Sequence, residues 1–304
     1  MTTQLPASAS PLLPAPPLPF STWSWRGHNI CYTVQGEGIP LVLVHGFGAS
    51  IGHWRKNIPV LAAGGYKVFA LDLLGFGKSD KPIDLAYELE LWQELLKEFW
   101  DTHIQEPAVF VGNSIGALLC LMVLAEHPEI ARGGVLLNAA GGLNHRPEEL
   151  PPPLRFMMAG FNKLVTSELV GTFIFNLIRQ KPRLRRTLRQ VYCDRTAITD
   201  DLIDLLYEPS CHPNAQKVFA AILSAPPGPR PESLLPKVSQ PLLILWGEKD
   251  PWTPISSARF YRELAEENER IQFTPIPDTG HCPHDERPDL VNAHILDWLN
   301  TAIR

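Results

Sequence analysis

Gly112-Asn113-Ser114-Ile115-Gly116 stands between a short apolar run, Ala108 to Val111, and a Leu/Ala-rich run, Ala117 to Ala125. The first run reads as a buried strand and the second as a helix, so the five residues form a sharp strand-to-helix turn. In that context the pattern G-x-S-x-G marks an exposed nucleophile. The flanking glycines let the backbone close tightly, and the serine sits where free amides at the helix N-terminus favour developing negative charge. Ser114 is therefore the candidate nucleophile. The 19 uncharged residues from Pro107 to Ala125 meet a crude length test for a membrane span, but the turn divides them.

Working outward, short apolar runs recur at Leu41 to His45, Lys67 to Leu71, Ala108 to Gly112, Gly134 to Asn138, Leu242 to Trp246 and Ile271 to Pro275, with helical stretches between them. Buried parallel strands have this appearance. Ser24 to Arg26 and Asn29 to Val34 read as an antiparallel hairpin ahead of them. The expected fold class is α/β, a mostly parallel sheet with helices on both faces. Alternation stops between Gly142 and Pro241, a mainly helical stretch bounded by Pro151-Pro152-Pro153 and Pro226-Pro227-Gly228-Pro229. The predicted organisation is a disordered Pro-rich leader (1–22), a core (23–141 and 241–304) and an inserted helical lid (142–240). Helices are expected over Ser256 to Asn268 and Pro288 to Ile303, the latter burying Leu290, Val291, Ile295 and Trp298.

A serine hydroxyl needs a base, and the base an orienting acid. Asp278-Thr279-Gly280-His281 follows the last strand and offers His281 as base. His284 is the competitor, beside Asp285 near a helix start. Trp246-Gly247-Glu248-Lys249-Asp250-Pro251-Trp252 follows the strand before it and offers Asp250 as acid, with Glu248 as alternative. The order Ser, Asp, His suits this type of turn. Asn138 cannot serve as an anionic acid, and Asp72 is read as organising its own loop. His45-Gly46-Phe47-Gly48 follows the first central strand, so the Phe47 and Ile115 amides are the predicted oxyanion donors.

The chain has 304 residues, 45% hydrophobic and 19% charged, with a formal charge of −5, which excludes a largely disordered chain and argues against nucleic acid as partner. Its five dispersed cysteines suggest neither a disulfide framework nor zinc, and His281-x-x-His284 lacks a third ligand, so neither metal nor cofactor is expected. Gly77-Lys78-Ser79 resembles the end of a phosphate loop, but the first glycine of that motif would fall on Asp72. Six prolines among the first 20 residues break any signal-peptide core.

These residues together resemble the α/β-hydrolase superfamily. The finer resemblance is to the chlorophyll dephytylases and pheophytinases of photosynthetic organisms. It is carried by His45 to Ser50, His53-Trp54-Arg55, Ala70 to Gly77, Gly112-Asn113-Ser114, Gly280 to Glu286, and the lid residues Gln190-Val191-Tyr192, Asp194, His212-Pro213 and Phe219-Ala220. Ala117 departs from the glycine usual in that group, and the leader lacks transit-peptide character, which a cyanobacterial source would explain.

The resemblance implies hydrolysis of the phytyl ester of a tetrapyrrole through an acyl-enzyme on Ser114. Trp252 and the lid residues Phe156, Met157, Phe161 and Phe173 are expected to bind the apolar chain. A carbon-carbon bond hydrolase, another carboxylesterase or a catalytically silent receptor are the alternatives. The partners expected are the apolar ester and a membrane surface touched peripherally, through lid apolar residues and the arginines Arg183, Arg185 and Arg186, with no obligate protein partner. The expected location is the cytoplasm or the thylakoid surface of a prokaryote, without secretion.

Overall fold

The computed structural model describes residues 19–144, 146, 157, 160 and 167–303. Eight strands form one sheet: β1 (Ser21–Trp25), β2 (His28–Gln35), β3 (Ile39–Val44), β4 (Tyr66–Leu71), β5 (Ala108–Asn113), β6 (Ala131–Leu137), β7 (Leu242–Gly247) and β8 (Ile271–Ile276). Their spatial order is β1-β2-β4-β3-β5-β6-β7-β8; β2 pairs antiparallel with both β1 and β4, and every other pairing is parallel. Arg26 and Gly27 close the β1–β2 hairpin with positive φ at both positions (50° and 83°), the turn geometry that matches strand twist. Ser21 and Thr22 pair with Tyr32 and Cys31, so these two residues belong to the sheet and not, as expected, to a disordered leader.

The main helices are α1 (Ile58–Ala63), α2 (Leu89–His103), α3 (Ile115–Glu126), α4 (Glu168–Ile178), α5 (Lys181–Val191), α6 (Asp200–Ser210), α7 (Ala215–Ser224), α8 (Arg259–Glu267) and α9 (Pro288–Trp298). The apolar run from Pro107 to Ala125 is divided into β5 and α3, as its central turn requires, and among the described residues no helix is long and apolar enough to cross a membrane. The α3 residues from Ile115 to Leu124 are all buried, which explains why this helix is apolar on every side.

Alternate residues of the parallel strands feed two cores. Val42, Val44, Phe110, Leu136 and Ile244 pack under α2 and α3, while Leu41, Leu43, Val109, Val111, Leu243 and Leu245 pack under α1 and α9. The final helix buries Val291, Ile295 and Trp298, but Leu290 is exposed: it lies a helical step of about 100° away from Val291. That helix ends at Trp298 in a π turn, Leu299–Ile303, and α8 starts only at Arg259 after a 3-10 turn, Ile255–Ala258. The helices α4 to α7 all lie between β6 and β7, where α5 and α6 share a small core of Leu188, Val191, Tyr192, Ile198, Leu202 and Ile203.

Candidate active site

Because β3, β5, β6, β7 and β8 run parallel and adjacent, the loops that leave their C-terminal ends gather on one side of the sheet. Ser114 leaves β5 at φ 57°, ψ −121°, a strained conformation for a residue with a Cβ, and its amide donates to Leu137 O at 3.0 Å. A Cβ on Gly116 would collide with the Val44 carbonyl, and one on Gly112 with the backbone of Gly116. The two glycines thus permit the close passage of α3 over β3 and β5 that holds Ser114 in place.

The loop after β3 runs beside this turn; a Cβ on Gly46 would lie 3.2 Å from that of Ser114. His45 fixes the loop from within. Its Nε2 accepts from the Leu73 amide at 3.1 Å, so Nδ1 carries the proton and donates to Gly46 O at 2.8 Å. Burial pushes the His45 imidazole down to about 4. Among the described residues neither the Phe47 nor the Ile115 amide meets a backbone carbonyl, which leaves both available to an oxyanion.

The loops after β7 and β8 bring Asp250 and His281 together: Asp250 Oδ2 and His281 Nδ1 are 2.6 Å apart, and both side chains are buried. Burial alone would raise the Asp250 carboxyl, but the hydrogen bond and charge of His281, together with the Thr253 hydroxyl and amide, outweigh it and hold the group below its ordinary value. The carboxylate fixes the ring with Nε2 as the nitrogen left for a hydroxyl. Asn113 Nδ2 donates to His281 O at 3.0 Å and so joins the histidine loop to the residue preceding Ser114.

The competing base and acids lie elsewhere. The His284 ring is buried against Trp54, with centroids 4.2 Å apart, and burial first, then its electrostatic interactions with His53 and Arg55, push its pKa well down. Glu248 is exposed, with its backbone amide bonded to Ile276 O. Asp72 organises its own loop: its carboxylate accepts from the Ile51 and Lys78 amides, each at 2.7 Å.

Two residues given no role by the sequence bond the Asp250 carboxylate. Asn138 Nδ2 donates to Asp250 Oδ2 at 2.7 Å while its Oδ1 accepts from the Gly247 amide at 2.9 Å. Its position directly after a central strand was the one signal of this in the sequence. Thr253 donates its hydroxyl to Asp250 Oδ2, and nothing in its sequence context pointed to that.

A run of touching aromatic rings begins at Phe47 beside the Ser114 turn. Phe47 contacts Phe76 and Phe219, each at 5.8 Å between centroids; Phe219 contacts Phe175 at 5.3 Å, and Trp252 lies 5.1 Å from the His281 ring. Of the expected chain-binding residues, Phe156 and Phe161 lie outside the described residues. Met157, Phe173 and Trp252 are exposed (64%, 69% and 55%), and it is Phe175, two residues beyond Phe173, that turns inward.

The family model described as alpha/beta hydrolase fold matches residues 39–288. The chain is 27% identical to chloroplastic pheophytinase of Arabidopsis thaliana over 86% of its own length, and spans 61% of the length of that protein. It is 28% identical to 2-hydroxymuconate semialdehyde hydrolase of Pseudomonas sp. (strain CF600), covering 88% of this chain and 89% of that one. Among solved structures, the meta-cleavage product hydrolase of Pseudomonas fluorescens IP01 superposes with a TM-score of 0.71 at 25% identity, covering 93% and 98% of the two chains.

Proposed function

The chain belongs to the alpha/beta hydrolase fold family, and from that premise we propose that it is a serine esterase cleaving a large apolar ester, the phytyl ester of chlorophyll or pheophytin. The observation that carries hydrolysis is the buried 2.6 Å Asp250–His281 pair, tied by Asn113 to the strained Ser114 turn. In this reading His281 Nε2 takes the proton of Ser114 Oγ as the oxygen attacks the ester carbonyl. The Phe47 and Ile115 amides hold the oxyanion, and His281 returns the proton to the departing alcohol. Water, activated by the same imidazole, then releases the acid from Ser114.

The substrate class rests on the rings that begin at Phe47 and on the likeness to pheophytinase. A phytyl chain of about 20 carbons, at ~0.8 kcal/mol per buried methylene, gains most from such a wall, and that binding energy can orient the carbonyl. The likeness to 2-hydroxymuconate semialdehyde hydrolase supports a second reading, carbon-carbon bond hydrolysis. A muconate carries a carboxylate, for which Phe47, Phe76, Phe219, Phe175 and Trp252 offer no cation. Incubation with chlorophyll and pheophytin, with chromatography for the dephytylated pigment, tests the first reading. Turnover of a vinylogous diketone in place of either pigment would favour the second.

The helices α4 to α7 act in this proposal as the lid, with a membrane surface as the place where the pigment is met. Exposed Leu169 and Phe173 on α4, and exposed Arg183 and Arg186 with half-buried Arg185 on α5, support that contact.

A further inference from the structure

The loop carrying His281 is fastened to the C-terminal end of α5 by several independent contacts. The His281 amide donates to Val191 O at 2.8 Å, and Gly280 lies so close to the Val191 carbonyl that any Cβ there would collide with it. Glu286 bridges the two segments with one carboxylate, accepting from the Gly280 amide at 2.9 Å and from the Asp194 amide at 2.6 Å. Cys282 belongs to the small apolar core shared by α5 and α6.

Beneath these contacts lies a buried polar knot. Tyr192, which caps the C-terminal end of α5, donates its hydroxyl to Asp285 Oδ2 at 2.9 Å and accepts from His53 Nε2 at 2.8 Å. His53 is pushed down to about 4 chiefly by burial, so near neutral pH it is uncharged with its proton on Nε2. Asp285 is fully buried and ion-paired with Arg55 at 2.8 Å and Lys56 at 3.1 Å. Burial works to raise its carboxyl, but His53, these two cations and the Tyr192 hydroxyl hold it below its ordinary value. A buried charge with this many fixed partners holds one geometry, since loss of any partner leaves a polar group unpaired.

We infer that Tyr192 and Asp285 are positioning residues for the base: they clamp the end of α5 to the His281 loop, so that the lid and the imidazole hold or move as one body. This role rests on His281 being the base. It gives a residue at the end of a lid helix a part in the chemistry. Tyr192→Phe keeps the ring and removes only the hydroxyl bridge.

The test is the kinetics of full-length Tyr192→Phe on a short nitrophenyl ester, with kcat normalised to the endpoint of fluorophosphonate labelling so that only competent sites are counted. A drop in kcat of about tenfold or more is expected, with KM within about twofold, together with a shifted or broadened downfield proton resonance from the His281–Asp250 hydrogen bond. An unchanged normalised kcat and resonance would overturn the clamp, whatever happens to thermal stability. If the variant does not fold, amide exchange in the unaltered protein decides. His281 and Asp194 amides should open at one common rate, and a protected His281 beside a freely exchanging Asp194 would overturn it. Ser114→Ala separates the two ideas: full activity there defeats the serine reading itself, whereas an inactive Ser114→Ala with an unaffected Tyr192→Phe defeats only the clamp.

Discussion

Asn138 donates to the same Asp250 oxygen that meets His281, at 2.7 Å against 2.6 Å, across 112 residues of sequence. An uncharged donor there stabilises the carboxylate without competing for the imidazole. Replacing it with Asn138→Asp would set a second carboxyl against Asp250. Steady-state kinetics should then show kcat/KM reduced by about tenfold or more. Kinetics identical to those of the unaltered protein would remove Asn138 from the site.

Ser114, His281 and Asp250 should behave as a unit. Ser114→Ala and His281→Ala are each expected to lower kcat by about 10³-fold or more, and Asp250→Asn by a comparable or smaller factor. The triple variant should lose little beyond the worst single one. Additive losses would mean that the three act separately.

The aromatic wall predicts a selective effect. Phe219 bridges Phe47 and Phe175, so Phe219→Ser should lower kcat/KM for a phytyl ester by about tenfold or more while sparing a short nitrophenyl ester. Equal loss on both would indicate a damaged fold instead of a damaged chain site.

Stability should fall in mild acid. His45 and His53 are pushed down from 6.5 to about 4 by burial, and His284 well down by the same cause. The unfolded chain takes up protons on these rings from about pH 6.5 but the folded one does not, so their contribution is whole above that pH and lost as pH falls toward 4. The His45 and His53 displacements are each worth about 3 kcal/mol. Asp72, pushed up to about 6 by burial, has the opposite sign: its contribution is whole below about pH 3.8 and lost as pH rises through 6. Glu286, raised by burial, shares the sign of Asp72, whereas Asp250 and Asp285, held below their ordinary value, add to the loss in acid, so the urea midpoint should drop between pH 6.5 and 4, less steeply in His53→Gln. A flat or rising midpoint would contradict the burial of these rings as neutral groups.

Membrane contact can be read by co-sedimentation. Vesicles containing anionic lipid should retain the protein better than neutral ones, and Arg183→Glu with Arg186→Glu should abolish the difference at low salt. Equal retention on both vesicles would remove the arginines from the contact.

Much of the fold follows from local pattern. Gly112 to Gly116 between an apolar strand and an apolar helix, and the other buried runs, are short-range signals, because burial of both sheet faces demands continuous apolar strands. The loops that carry Asp250 and His281 were legible for the same reason: each directly follows such a strand. Three things came only from the tertiary structure. Strand order set Asn138 against Asp250, since nothing local to Asn138 specifies a partner on another loop, and the turn after β7 folded the Thr253 hydroxyl back onto the same carboxylate. Side-chain direction on α4 turned Phe175 inward and left Phe173 in solvent, a choice made by what Phe219 offers and not by hydrophobicity. The knot of His53, Tyr192 and Asp285 gathers from three distant segments, and polar groups of this kind show no periodicity; only their shared burial makes each depend on the others.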